Sequence, residues 1–263
     1  MIKLSACIEM LFNEVGFYDR FEAAKNAGLD AVEFWRWTGK DIGRIKELKD
    51  KYKLVISDFC VAAEGDELAD EFNAKRLLYR GVDKAFKHAV EQTIPLAKQL
   101  DTQTLIVTVG QERNDVTRYE QHANIVLNLK AAASLLEDAG IILVVEPLNV
   151  LANHRGYFLP SSYEAFEIVE EVGSPNVKIL YDIYHQQISE GNIIPTIQKY
   201  SELIGHFHTA DVPGRHELGT GELNYRNIFA AIDKTGYDKY VGMEYAPTKN
   251  TAETVKEALA LTK

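Results

Sequence analysis

The sequence predicts an α/β fold, a single parallel barrel of eight strands and eight helices, (β/α)8. Three observations carry this expectation. Short apolar runs alternate with longer amphipathic stretches along the chain, and eight such pairs can be counted. The runs are continuously apolar rather than alternating, as strands are when helices cover both faces of a parallel sheet. The length of 263 residues suits one such barrel, which takes about 250. An open doubly wound sheet is the rival. It normally brings a Gly-rich first turn for a nucleotide, and no such turn follows the first run.

Lys3–Ile8 is the first apolar run. Phe17–Gly28 follows with helical spacing at Phe21, Ala24 and Ala27 and stops at a glycine. Ala31–Phe34 is a short strand, Asp41–Tyr52 a surface helix and Leu54–Phe59 the next strand. Lys75–Leu100 is a long helical pattern, and Thr104–Val109 is β-branched and strand-like. Val116–Ala139 is helical up to Gly140, and Ile141–Val145 is wholly aliphatic. In the second half, Ser161–Val172 is a helix with Ser161 or Ser162 as its N-cap. Val177–Tyr181, Ile204–His208 and Tyr240–Met243 are strands. Ile193–Tyr200, Tyr225–Thr235 and Thr251–Leu261 are helices. Irregular stretches lie near Ala62–Asn73, Leu148–Pro160 and Asp211–Asn224. Each follows a strand, which is where a barrel keeps its substrate loops. No Pro/Gly-rich linker interrupts the chain, so residues 1–263 are expected to form one domain.

With 29 Lys+Arg against 39 Asp+Glu, the formal charge of −10 counts against a general binder of phosphate backbones. Cys7 and Cys60 are too few for a disulfide framework and read as buried small hydrophobes. No apolar stretch approaches the ~18 residues of a membrane span, and the N-terminal run is too short for a signal peptide. The expectation is a cytoplasmic protein acting on a small molecule, with neither nucleic acid nor membrane as partner. A homo-oligomer stays open.

Polar residues at the C-terminal ends of barrel strands are catalytic candidates. The fifth strand ends in Glu146, the sixth in Asp182, the seventh in His208 and the eighth in Glu244. Three carboxylates and an imidazole cannot crowd together without a cation, because like charges repel and raise each other's pKa. A divalent metal removes that difficulty. The oxygen-rich set suits Mn²⁺, Mg²⁺ or Co²⁺, with Zn²⁺ admissible. His206 lies two residues before His208 and faces the same side of the strand, as a second ligand or a core histidine. Trp35 and Trp37 can each wall a pocket or pack, and period two does not separate them.

The segments Glu146-Pro147-Leu148-Asn149, Asp182-Ile183-Tyr184-His185 and Gly191-Asn192 resemble the xylose-isomerase-like TIM-barrel superfamily. Ile204–His208, Val212–Glu217, Gly221–Tyr225 and Val241–Tyr245, with Ala24–Trp35 and Tyr157–Val172, resemble hydroxypyruvate isomerases. The resemblance implies that Glu146, Asp182, His208 and Glu244 hold the metal and that Glu146 and Glu244 move protons. It also implies that His185 binds substrate, that Arg215 holds a substrate charge, and that Glu217 belongs to the same substrate-binding loop. At the position of His208, hydroxypyruvate isomerases usually carry Gln and ketose 3-epimerases His.

The expected chemistry is isomerisation of a hydroxy-ketone to a hydroxy-aldehyde through an enediolate, with one glutamate accepting the carbon-bound proton. Returning a proton to the opposite face of the same carbon would give a 3-epimerase. Loss of water after enolisation would give a lyase. Arg215 is the first candidate counter-charge for an acidic substrate, with His154, Arg155 and His216 behind it. Gly219-Thr220-Gly221 does not follow a strand directly and reads as a turn rather than a phosphate cradle.

Overall fold

The eight apolar runs pair in chain order, and the last closes onto the first. The computed structural model covers residues 1–263. Its strands are β1 (Lys3–Cys7), β2 (Ala31–Arg36), β3 (Val55–Cys60), β4 (Thr104–Val107), β5 (Ile142–Val145), β6 (Val177–Asp182), β7 (Ile204–Thr209) and β8 (Tyr240–Met243). The helices are α1 (Arg20–Asn26), α2 (Ile42–Tyr52), α3 (Glu67–Lys75), α4 (Asp83–Gln99), α5 (Arg118–Ala139), α6 (Ser162–Val172), α7 (Ile183–Ser189), α8 (Ile193–Tyr200), α9 (Tyr225–Lys234) and α10 (Thr251–Leu261). All eight pairings are parallel, so β1 meets both β2 and β8, with Ser5 opposite Gly242. This is the predicted (β/α)8 barrel.

Local chemistry explains the element ends. Thr117 and Glu120 form a reciprocal capping box at the start of α5, and Gly140 ends that helix in the left-handed region. Ser161, not Ser162, caps α6 by accepting from the Glu164 N–H. Two expectations need correction around α3. The stretch near Ala62–Asn73 is not wholly irregular: Asp66 caps a helix there by accepting from the Ala69 N–H at 2.9 Å, and Ala69 and Phe72 bury its inner face. The long helix expected from Lys75 begins only at Asp83, because Arg76 (φ 51°) and Gly81 (φ 83°) lie in the left-handed region and interrupt it.

Seventy-two buried residues form one apolar mass around the barrel. A smaller apolar group, Ile106, Val144 and Leu180, stands apart from it. Val144 and Leu180 lie two residues before Glu146 and Asp182, so they face the same interior one layer lower. On the β4–β6 side the interior is thus apolar one layer down, and the polar strand ends open above it.

Candidate active site

Each of the four strand-end residues is placed by its own strand. Glu146 follows β5, Asp182 ends β6, His208 lies in β7 and Glu244 follows β8. All four are buried, and each offers one ligand atom within 4.8 Å of the others. His208 Nδ1 lies 3.6 Å from Glu146 Oε1 and 3.4 Å from Glu244 Oε2, yet makes no hydrogen bond. A buried ring nitrogen without a partner, facing carboxylates, is the donor pattern of a divalent-metal site. The four residues therefore fit the metal expected of them.

The two glutamates differ. Trp35 donates its indole N–H to Glu244 Oε1 at 2.7 Å. The Arg215 guanidinium bonds Glu244 Oε2, and its Nε–H donates to the Glu244 carbonyl at 3.3 Å. Burial opposes ionisation of Glu244, but Arg215 and His208 hold its carboxyl well below the usual range. Glu146 has no arginine or lysine bonded to it; burial pushes its carboxyl up to about 7, with the nearby His208 ring offsetting part of the rise. Burial also works against a charged His208, but Glu33 and Glu244 keep its imidazolium well above the ordinary histidine range.

A second polar layer lies beneath. Glu33 of β2, Asp58 of β3 and His206 of β7 are buried with His208 in one group of ligand-type atoms. Glu33 Oε1 stands 3.1 Å from His208 Nε2, and Asp58 Oδ2 stands 3.1 Å from His206 Nε2. Ser5 and Ser57 donate to Glu33 Oε2 at 2.5 and 3.1 Å. Glu33 thus faces His208 Nε2, the ring nitrogen away from Glu146 and Glu244, although neither Nε2 nor Glu33 Oε1 makes a hydrogen bond; behind a metal-ligating histidine a carboxylate so placed orients the ring. Neither Glu33 nor Asp58 was found from the strand ends. Their signal was a lone carboxylate inside a short apolar strand, a costly placement unless it is paired.

Asp182 Oδ1 accepts from the His185 N–H at 3.1 Å and so caps α7, a helix the sequence did not announce. His185 is fully buried. Its Nδ1 accepts from the Asn149 backbone N–H at 3.2 Å, and its Nε2 lies unpartnered 3.6 Å from Asp182 Oδ2. Burial lowers this imidazole to about 4, so it is neutral with its proton on Nε2. Arg215 sits at φ 58° in the loop after β7. That loop is tied by Asp211, which accepts from the N–H groups of Val212, Gly219 and Leu223 at 2.9, 2.8 and 3.1 Å. Gly221 presses against the Val212 carbonyl, where a Cβ has no room. The Gly219–Gly221 segment is therefore a packed turn.

Glu217 is not brought to the cavity. Thr248 occupies both its oxygens, with Oγ1–H donating at 2.5 Å and the backbone N–H at 3.0 Å. The two tryptophans separate: Trp35 is 44% exposed and walls the cavity, whereas Trp37 is buried with its N–H donating to Thr93 Oγ1 at 3.1 Å. Cys60 also lines the cavity, and burial keeps both its thiol and that of Cys7 protonated. The cavity that opens over Glu146, His208 and Glu244 measures about 610 Å³ and is further lined by Arg36, Arg76, Gln111, His154, Tyr157 and Arg215.

A family profile described as "Xylose isomerase-like TIM barrel" matches residues 21–263. The chain belongs to the xylose isomerase-like TIM barrel family. It is 35% identical to the hydroxypyruvate isomerase of Escherichia coli (strain K12) over 95% of this chain and 96% of that one. It is 33% identical to the 2-oxo-tetronate isomerase of Cupriavidus necator, over 96% and 95% of the two chains. A crystal structure of AP endonuclease, family 2, from Brucella melitensis superposes with a TM-score of 0.90 at 31% identity, covering 99% of both chains. Within the family the chain groups with these named isomerases, and it is an isomerase. No helix is long and apolar enough to cross a membrane.

Proposed function

We propose that the protein is a metal-dependent isomerase that interconverts a small hydroxy-ketone and hydroxy-aldehyde, of the hydroxypyruvate to tartronate semialdehyde type. The observation that carries this reading is the buried set of Glu146, Asp182, Glu244 and an unpartnered His208 Nδ1. These four would hold one divalent ion, Mn²⁺, Mg²⁺ or Co²⁺, with Zn²⁺ admissible. When bound, it supplies Lewis-acid polarisation of adjacent carbonyl and hydroxyl oxygens.

The chain's own groups do the proton work. Glu146, bonded to no arginine or lysine, accepts the carbon-bound proton, and an enediolate results. Glu146 then returns that proton to the neighbouring carbon, while Glu244, kept charged and in place by Trp35 and Arg215, takes the hydroxyl proton and passes it to the former carbonyl oxygen. Neutral His185 offers an Nε2–H donor to a substrate oxygen. Arg215 acts through Glu244, and Glu217 pins the segment after β8 through Thr248.

The names of the two relatives support the substrate type. A second reading, ketose 3-epimerase, is favoured by His208 where hydroxypyruvate isomerases usually carry Gln. The formal charge of −10 weighs against DNA as substrate. The test is a screen of hydroxypyruvate, tartronate semialdehyde and C4–C6 ketoses with each metal, reading the product and solvent-proton incorporation, beside an abasic-DNA cleavage assay. Conversion of ketohexoses but not hydroxypyruvate selects the epimerase. Glu146→Gln and Glu244→Gln should each abolish turnover in a folded protein, and near-normal activity in either sinks the assignment.

A further inference from the structure

Arg215, the counter-charge expected for an acidic substrate, is already bonded to Glu244. Two other cations face the same cavity. Arg36 ends β2 at its mouth, and Arg76 follows α3 on the wall shared with Cys60 and Tyr157. Neither is matched by a carboxylate. Glu9, in the shallow depression beside Arg36, is taken by Lys40 at 2.7 Å. The titratable groups felt by Arg76 are Arg36, the Cys60 thiol and the Tyr157 phenol. Lys75, a third cation nearby, is paired with Glu71 at 2.6 Å.

Arg76 is held deliberately. Its φ of 51° is costly for a residue with a side chain. A Cβ on Gly110 would stand 2.8 Å from the Arg76 Cβ, so the β4 loop accepts Arg76 only because that position is glycine. The Leu77 N–H donates to the Val109 carbonyl at 3.0 Å and fixes the next residue. Burial, then the neighbouring Arg36 charge, pushes the Arg76 guanidinium below its ordinary range. A half-buried cation beside a like charge, with no acid to answer it, is a place where an anion is stabilised. The same cavity carries Glu146 and Glu244 near β5 and β8, so it is basic on one side and acidic on another.

We propose that Arg36 and Arg76 form the anion subsite that receives the carboxylate of a hydroxy-keto acid, whose reacting carbons then face Glu146 and Glu244. This rests on the isomerase reading above and names what sets its preference for acids. The test compares Arg36→Gln, Arg76→Gln and the double variant with the unaltered protein, all loaded with Mn²⁺. Calorimetry measures binding of tartronate, an inert hydroxy-diacid. Kinetics compare hydroxypyruvate and 2-oxo-tetronate with uncharged erythrulose and with erythrulose 4-phosphate.

Each single variant should weaken tartronate about 10- to 100-fold and raise KM for the acids by a similar factor. Mn²⁺ affinity and any erythrulose turnover should stay unchanged. Unchanged tartronate binding and acid KM in the double variant overturn the subsite even if the isomerase stands. Loss of tartronate binding in a protein that isomerises no acid leaves the subsite and sinks the isomerase reading. A selective loss of the phosphate ester alone overturns the carboxylate assignment. Arg36 is exposed, so Arg36→Gln decides the matter if Arg76→Gln fails to fold.

Discussion

Gly242→Ala tests the coupling between the two polar layers. An added Cβ would collide with Glu33 Oε1 and stand 2.6 Å from Glu33 Oε2 and 2.7 Å from His208 Cδ2. Real Cβ atoms do not come that close, so Glu33 and the His208 ring must both retreat. Glu33 cannot retreat freely, because Ser5 holds it at 2.5 Å. Overpacking costs about 1–3 kcal/mol, and weakening one charge-assisted hydrogen bond adds about 1–2 kcal/mol. A total near 2–5 kcal/mol should lower the Tm by roughly 4–20 °C in a chain of this size. Displacing the group behind a ligating histidine typically costs about 10- to 100-fold in metal affinity. The assay is Mn²⁺ titration calorimetry with thermal unfolding, using Leu129→Ala as the control. Leu129 is fully buried in α5, and its truncation should cost about 2–5 kcal/mol without touching the site. A folded Gly242→Ala protein with normal Mn²⁺ affinity, or an equal loss of affinity in Leu129→Ala, would refute the reasoning.

Three further outcomes are expected. Mn²⁺ affinity should climb as pH rises through about 7, since Glu146 must lose the proton that burial keeps on it and His208 must lose its own; the binding reaction then releases protons, and a pH-independent affinity between 6 and 8 contradicts this. Trp35→Phe removes the donor to Glu244 and should cut kcat about 10- to 100-fold, whereas Trp37→Phe should cost about 1 kcal/mol of stability and leave kcat alone; matched effects in the two would remove Trp35 from the site. Thr117→Ala should destabilise by about 1 kcal/mol through the lost capping box, with kinetics unchanged, and denaturant unfolding reads it directly.

The barrel was legible because burial on both faces writes each strand as an apolar run, and because each run stops at a polar residue where the interior opens. Glu146, Asp182, His208 and Glu244, which the structure brings together, were singled out by that stop alone. Glu33 and Asp58 were not, since they lie within their strands, and only the closed sheet carries Glu33 across to His208. Arg76 was hidden in what looked like one long helix; its left-handed backbone is paid for by a glycine 34 residues later, a relation no local pattern expresses. Trp35 and Trp37 share a side by period two, but β2 ends between them at Arg36, so the alternation no longer applies. The helix α7 was missed because Asp182 read as a ligand when it is also that helix's cap.

The proposed ligands all come from β5 to β8, whereas the carboxylates that back the histidines come from β2 and β3. On the proposed reading, the ligands of one half would lack their support without the other. A chain emerging from the ribosome folds its earlier segments first, so it presents the supporting carboxylates before any ligand exists and completes the ligand set only with β8. Capture of an ion by the proposed ligands would then be one of the last events in maturation, and the finished cavity, rather than the nascent chain, would decide which metal is kept.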